Sequence, residues 1–307
     1  MGSIKTNFEN VTFRKGCDEW LAFKQNSVKE SSYFNYKFKI DKHLNPDLGD
    51  KTLLELTNYD MNEYVIKKKQ EMKDCGIKDI VIVLKSILRY LKKKYKIEYD
   101  LEFNSGSNYN MKEIEVFNDN ERQKITKYLL ESNCIKDLEI LISLYTGLRI
   151  GEICGLKWED IDFENKVLLV RKTAQRVYLG KNNTKIIVTV PKTRKSLRKI
   201  PLAKVLIEKL KPISKDYSLN SFILTGKEDK CMEPLVYRYT YRIILKECKV
   251  KYKKFHCLRH TFATRCIRVG MDIKSLSEVL GHANIGITLS TYVHSSYEVK
   301  KKYIDKL

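Results

Sequence analysis

The sequence predicts a mainly helical protein with a small antiparallel β-sheet, built as two domains. Three observations carry that expectation. At roughly 100–200 residues per domain, a chain of 307 residues suggests two. Apolar residues recur at helical spacing along most of the chain and switch to β-type patterning only between residues 166 and 202. Charge divides unevenly, with 20 basic and 16 acidic side chains in residues 1–110 and 39 and 22 in residues 111–307. The small polar stretch Asn104-Ser105-Gly106-Ser107-Asn108 at the seam reads as a linker. The expected boundaries are therefore a helical domain over 1–103, a linker over 104–112 and a mixed domain over 113–307.

Each element has a local signature. Phe13, Cys17, Trp20 and Leu21 place a first helix over Phe13–Phe23, and Tyr33, Ile40 and Leu44 a second over Ser31–Leu44. Pro46, Gly49 and Asp50 interrupt the chain. Thr57 caps a third helix from Tyr59, carrying Met61, Tyr64, Val65 and Met72 and expected to stop at Gly76. The fourth is expected from Asp79 to about Lys94, with Ile80, Val83, Leu84, Ile87, Leu88 and Leu91 inside and Lys85, Arg89 and Lys92 outside.

The second domain opens with helices over Asp119–Leu130 and Ile135–Tyr145, and Gly147 and Gly151 bracket a turn into another short helix. Three strands are expected at Lys166–Arg171, Ile186–Val190 and Ser196–Leu202, with a basic insertion, Thr173–Lys185, lengthening the loop between the first two. Helical patterning resumes after Pro201 and ends in a tail helix over Val293–Leu307.

Composition removes several classes of function. An apolar content of 43% excludes a wholly disordered chain. No apolar run approaches the ~20 residues that span a bilayer, and Met1–Asn10 lacks the apolar core of a signal peptide. The eight cysteines form no C-x-x-C pair and read as reduced, mostly buried thiols of a cytoplasmic protein. A net charge of +21 points to a polyanionic partner. From Asn165 to Ile207 there are twelve basic side chains and no acidic one. A single-sign face of this kind suits a phosphate backbone, which makes Arg171, Lys172, Arg194, Lys195 and Arg198 candidate nucleic-acid contacts, with Lys85 and Arg89 in the first domain.

The candidates for chemistry lie far apart in sequence. Arg149 follows the turn at Gly147, with Glu152 three residues on and able to hold its guanidinium. His256 and Arg259, three apart, share a helix face. His282 follows Gly281, where a helix ends, and Tyr292 stands ten residues later. Plainer readings stand beside these. Arg149 and Glu152 form an ordinary surface pair, His282 caps a helix, His260 packs structurally, and Tyr297 and Tyr303 compete with Tyr292. His256 and His260 also have an i, i+4 spacing that suits zinc, but no glutamate follows His256 and no third ligand is evident.

Four blocks give these residues a common frame: T-G-L-R-I-G-E-I-C-G-L-K-W (146–158), P-K-T-R-K-S-L-R-K-I-P-L (191–202), H-C-L-R-H-T-F-A-T (256–264) and L-G-H-A-N-I-G-I-T-L-S-T-Y (280–292). In this order they resemble the tyrosine recombinases of the phage-integrase family over about the last two thirds of the chain. The helical first part resembles that family's core-binding domain, and the second its α+β catalytic domain. No extra DNA-binding module is visible ahead of it.

The resemblance implies that Arg149 and Arg259 clamp a scissile phosphate and that Lys192 is the general acid. His256 and His282 would donate to phosphate oxygens or assist proton transfer, and Tyr292 would be the nucleophile. The choice of Lys192 over its basic neighbours rests on the family pattern alone. The resemblance implies no metal and no nucleotide cofactor. Its implied partners are double-stranded DNA recombination sites, a homotetramer on DNA exchanging C-terminal helices, and a directionality factor. The blocks resemble integrases of phages and conjugative elements more than resolvases of chromosome or plasmid dimers. A DNA-binding regulator without catalysis and a type IB topoisomerase are the remaining alternatives.

Overall fold

The computed structural model describes residues 10–97, 103, 114–181, 183–190, 197–292 and 304–305. The chain divides into two compact units, residues 1–111 with 177–185, and residues 112–176 with 186–307. The expected linker and most of the expected tail helix lie outside the described residues.

The N-terminal segment of the first unit is helical: α1 (Phe13–Gln25), α2 (Glu30–Lys39), a π-helical turn (Ile40–Leu44), α3 (Asn45–Leu48), α4 (Asn58–Glu71) and α5 (Asp74–Tyr95). Thr12 caps α1 by accepting from the Lys15 amide. Thr57 and Asp60 form a reciprocal capping box that starts α4. The core gathers Phe13, Trp20, Leu44, Leu53, Met61, Leu84 and Leu91, all essentially inaccessible. Gly76 was expected to end the third helix; it lies instead in the first turn of α5, because the break comes earlier, at extended Met72 and Lys73. A glycine in a first turn removes little helix stability, so its position there is tolerated.

The second unit contains α6 (Asp119–Glu131), a 3₁₀ turn (Ile135–Asp137), α7 (Leu138–Thr146) and α8 (Ile150–Cys154). The strands follow in chain order: β1 (Ile161–Asp162), β2 (Val167–Val170), β3 (Thr173–Gly180), β4 (Asn183–Thr189) and β5 (Arg198–Pro201), residues 177–185 of β3 and β4 being counted with the first unit. It closes with α9 (Lys204–Ser214), α10 (Pro234–Glu247), α11 (His256–Arg268), α12 (Ile273–Leu280) and α13 (Ile285–Tyr292). The mainly helical class with small antiparallel pairing is the one observed.

The strand count and pairing differ from expectation. β2 lies between β1 and β5, antiparallel to both, with Leu168 opposite Ile161 and Ile200. β3 and β4 form a separate two-stranded hairpin. Residues 173–185 are therefore mostly strand, not a lengthened loop, and the expected second strand pairs with them and not with the first. Thr173, Val177 and Tyr178 are β-formers, but the lysines and glycine around them hid the pattern. Alternation in β2 buries Leu168 and Val170, which join Ile140, Leu141, Trp158, Tyr237 and Tyr241 in the larger core.

Candidate active site

Three helix C-termini, those of α7, α12 and α13, and the start of α11 build the site. α7 ends at Gly147, in the left-handed region at φ +67°, and a Cβ there would lie 2.5 Å from Phe262 and 2.9 Å from Leu280. The turn delivers Arg149 as the residue that starts α8. α12 ends at Gly281, also left-handed at φ +64°, where a Cβ would lie 2.9 Å from the Arg198 guanidinium. That turn delivers His282. His256, Arg259 and His260 come from the first turn and a half of α11.

Arg259 is 1% exposed, and its charge is met by fixed acceptors. Nη1 donates to the Gly147 carbonyl at 2.7 Å, and Nη2 donates to the Leu280 carbonyl at 2.8 Å and reaches His282 Nε2 at 2.8 Å. The Leu280 carbonyl closes a helix, where the backbone dipole favours a cation. Burial, then the Arg149 charge, lowers the Arg259 pKa to about 9, so it remains charged at neutral pH. A guanidinium has no acceptor, so His282 Nε2 accepts. Nδ1 then carries the proton and donates to Thr288 Oγ1 at 2.8 Å. Burial and the charges of Arg259, Arg149 and Arg198 lower the His282 pKa to about 4.

Arg149 donates from Nη1 to Glu152 Oε1 at 3.0 Å and remains 39% exposed, open to an anion from solvent. Its backbone amide donates to Glu152 Oε2 at 2.9 Å. Glu152 is itself buried. Burial alone would raise its pKa, but the Arg198 hydrogen bond and the Arg198 and Arg149 charges outweigh that and lower it.

Arg198 corrects the sequence reading. Where a surface position was expected, its side chain is 5% exposed, donates to both Glu152 oxygens at 3.1 and 2.9 Å, and donates from Nε to the Val279 carbonyl at 2.6 Å. Its role is to hold Glu152, which in turn holds Arg149.

The acid-free run is also less positive in space than in sequence. Arg171 pairs with Asp160, Lys172 with Glu159 at 2.8 Å and Arg176 with Glu233 at 2.8 Å. Arg171 and Lys172 keep part of their surface in solvent. Lys85 and Arg89 are exposed on α5, with the Lys85 ammonium 5.1 Å from the centre of the Phe103 ring. Lys192, Arg194 and Lys195 lie outside the described residues, as do Tyr297 and Tyr303.

Tyr292 ends α13, half-buried, with its hydroxyl 2.8 Å from Nδ1 of His260. Burial raises its pKa, opposed by the charges of Arg259 and Arg149. His256 reaches solvent at the start of α11. Packing among protein atoms, then the charges of His260, Arg259 and Arg149, lowers its pKa to about 4. Its ring meets His260 edge to face, with centres 4.5 Å apart. The plain packing role expected of His260 missed its contact with Tyr292. The i, i+4 spacing from His256 was legible, but the approach of α13 was not. Among the described residues no group of three or more His, Cys, Asp and Glu side chains could hold a metal ion.

Chemically, the site offers two guanidinium groups, three imidazoles and a phenol, three of them on α11 and the others from the start of α8 and the ends of α12 and α13. Such a set suits an anionic substrate whose charge grows in a transition state. The Phage integrase family pattern matches residues 110–299, and the pattern described as "Phage integrase, N-terminal SAM-like domain" matches residues 12–70. A tyrosine recombinase XerC-like protein of Caldanaerobacter subterraneus subsp. tengcongensis is 37% identical over 215 residues, covering 64% of this chain and 54% of the relative. The transposase from transposon Tn916 of Enterococcus faecalis is 31% identical over 189 residues, covering 52% and 42%. The chain thus spans about half the length of these two curated relatives. The Tn1549 transposon integrase, solved with a circular intermediate DNA, has the same fold, with a TM-score of 0.78 at 21% identity over 96% of this chain and 99% of that one.

Proposed function

This chain belongs to the phage integrase family, and from that premise we propose that it cuts and rejoins double-stranded DNA through a 3′-phosphotyrosine formed on Tyr292. The observation that carries this reading is the convergence at Tyr292: its hydroxyl lies against α11 and within the field of both Arg149 and Arg259. In this reading the two guanidinium groups neutralise the scissile phosphodiester as charge builds on its oxygens. Fixed donors of this kind are worth roughly 3 kcal/mol each in the transition state.

His282 holds Arg259 in register. Lys192 is proposed, on the family pattern, to protonate the departing 5′ oxygen. The phosphotyrosine conserves the energy of the broken bond, so a 5′ hydroxyl from another strand can displace the tyrosine without a nucleotide cofactor. We assign the protein to integration and excision of a mobile element, which the transposon-borne relatives support. It would act in the cytoplasm, as a homotetramer on DNA whose C-terminal segments are exchanged, with a directionality factor setting the outcome. Among the described residues no helix is long and apolar enough to cross a membrane.

The test is covalent capture of a nicked suicide DNA carrying the element's ends. The wild type should form a protein–DNA adduct, and Tyr292→Phe should bind equally well but form none. An adduct that persists in Tyr292→Phe and disappears in Tyr297→Phe would move the nucleophile. Absence of any adduct from the wild type would leave a DNA-binding regulator.

A further inference from the structure

We propose that His260 is a catalytic residue, orienting the Tyr292 hydroxyl and taking its proton as the oxygen attacks phosphorus. This rests on the reading of Tyr292 as the nucleophile. The separation of Nδ1 from the phenol oxygen, 2.8 Å, is the distance a general base requires.

The placement of His260 is over-determined. It follows Arg259 directly on α11, and the Arg259 guanidinium is locked to the Gly147 and Leu280 carbonyls and to His282. The helix turn that presents one residue therefore presents the other. His256, one turn earlier, packs against its ring at 89°, and the Tyr292 ring lies 5.5 Å away, tilted by 58°. His260 and Tyr292 thus hold each other from two helices.

The charge states agree with this assignment. The charged and titratable groups around His260 are His256 and Arg259 on its own helix, Tyr292 from α13 and, acting across the cluster on both His256 and Tyr292, Arg149 from α8. Burial, then the Arg259 charge, lowers the His260 pKa, so the ring is neutral at pH 7. With its proton on Nε2, the Nδ1 lone pair faces the hydroxyl. Burial keeps the phenol protonated, so attack needs an acceptor at that oxygen.

The step balances. The tyrosine oxygen–phosphorus bond forms, the phosphorus–O5′ bond breaks, and the phenolic proton moves to His260 Nδ1. The leaving oxygen takes its proton from the general acid. On rejoining, the attacking 5′ hydroxyl returns its proton to the group that had served as general acid and displaces the tyrosine, and the imidazolium returns the proton to the departing phenolate.

The experiment measures adduct formation on the suicide DNA against pH for the full chain, His260→Asn, His260→Ala and Tyr292→Phe. Asparagine sets an amide oxygen near the Nδ1 position, so it can hold the hydroxyl without accepting its proton. Both His260 variants should bind DNA with wild-type affinity and react roughly 10²–10⁴-fold more slowly. The fall in rate on acidification, present in the wild type, should be absent in His260→Asn. A substrate with a 5′-bridging sulfur, whose leaving group needs no proton, should leave both variants slow, placing the defect on the attacking side.

A near-wild-type rate with an unchanged acid limb in His260→Asn would overturn the proton-accepting role. The same result in His260→Ala would overturn the positioning role as well. Should His260→Ala fail to fold, judged by its thermal transition, the asparagine variant decides. An adduct in Tyr292→Phe would instead sink the nucleophile assignment, a separate failure.

Discussion

Helices α5 and α11 use their buried faces for opposite ends. α5 turns Ile77, Ile80, Val81, Val83, Leu84, Ile87, Leu88 and Leu91 inward, and its lysines turn out. Nothing inside it needs a partner with directional bonding, so burial converts to stability at about 25 cal/mol per Å² of apolar surface. α11 buries Cys257, Leu258, Arg259, Thr261, Ala263 and Cys266. A guanidinium on that buried face is acceptable only because two carbonyls and an imidazole meet it. The hydroxyl of Thr261, next along, accepts from the Phe117 amide at 2.9 Å. The first helix is stable wherever apolar neighbours close over it. The second depends on atoms from α7 and α12 arriving within a few tenths of an ångström. A helix that positions a reacting group gives up the regular pattern that a purely structural helix retains.

The contrast is broken most severely at Arg198. Arg198→Gln leaves Glu152 buried without its main cation, and loss of one partner from such a pair costs roughly 3–5 kcal/mol. Thermal unfolding should show a clear fall in midpoint, and the rate of adduct formation should drop because Arg149 loses its anchor. An unchanged melting curve would mean that the Glu152 pair is not a structural anchor.

Leu84→Ala is the matching change in α5. It should cost about 2–5 kcal/mol through the cavity it leaves. The rate of adduct formation per folded, DNA-bound molecule should stay at the wild-type value, since no polar contact of the site is touched. A loss of rate without a loss of stability would overturn this division between the two helices.

The smallest effect is that of acid. His282 is held to a pKa of about 4 in the folded chain against an ordinary 6.5. Below about pH 6.5 the unfolded chain binds a proton that the folded chain does not, so stability should decline as pH falls from 6.5 to 4. His256 and His260 act in the same direction. Replacing His282 with Asn should reduce the decline in melting temperature across that range; a decline of the same size in the variant would remove His282 from the cause.

Legibility followed the range of the interaction. The helices of the first unit were readable because 3.6-residue periodicity and caps such as Thr57 act within a few residues. Gly147 and Gly281 were readable as helix ends for the same reason. Of the hairpin, β4 was expected at Ile186–Val190 but β3 and its pairing were not, because charged side chains broke the alternation that marks a half-buried strand. The run of twelve basic residues was legible in one dimension only. It is positive along the chain, but Asp160, Glu159, Glu233 and Glu152 reach Arg171, Lys172, Arg176 and Arg198 from elsewhere.

The sequence by itself determined the class of the fold, the turns that present Arg149 and His282, and the shared helix face of His256 and Arg259. All of these follow from the dihedral and side-chain preferences of neighbouring residues. Only the tertiary structure decided that Arg198 lies inside on Glu152, that His282 accepts from Arg259, and that His260 meets Tyr292. Each of those contacts joins residues 23 to 46 positions apart. No local preference encodes a 2.8 Å approach across such a distance; it exists only when the two elements have packed together.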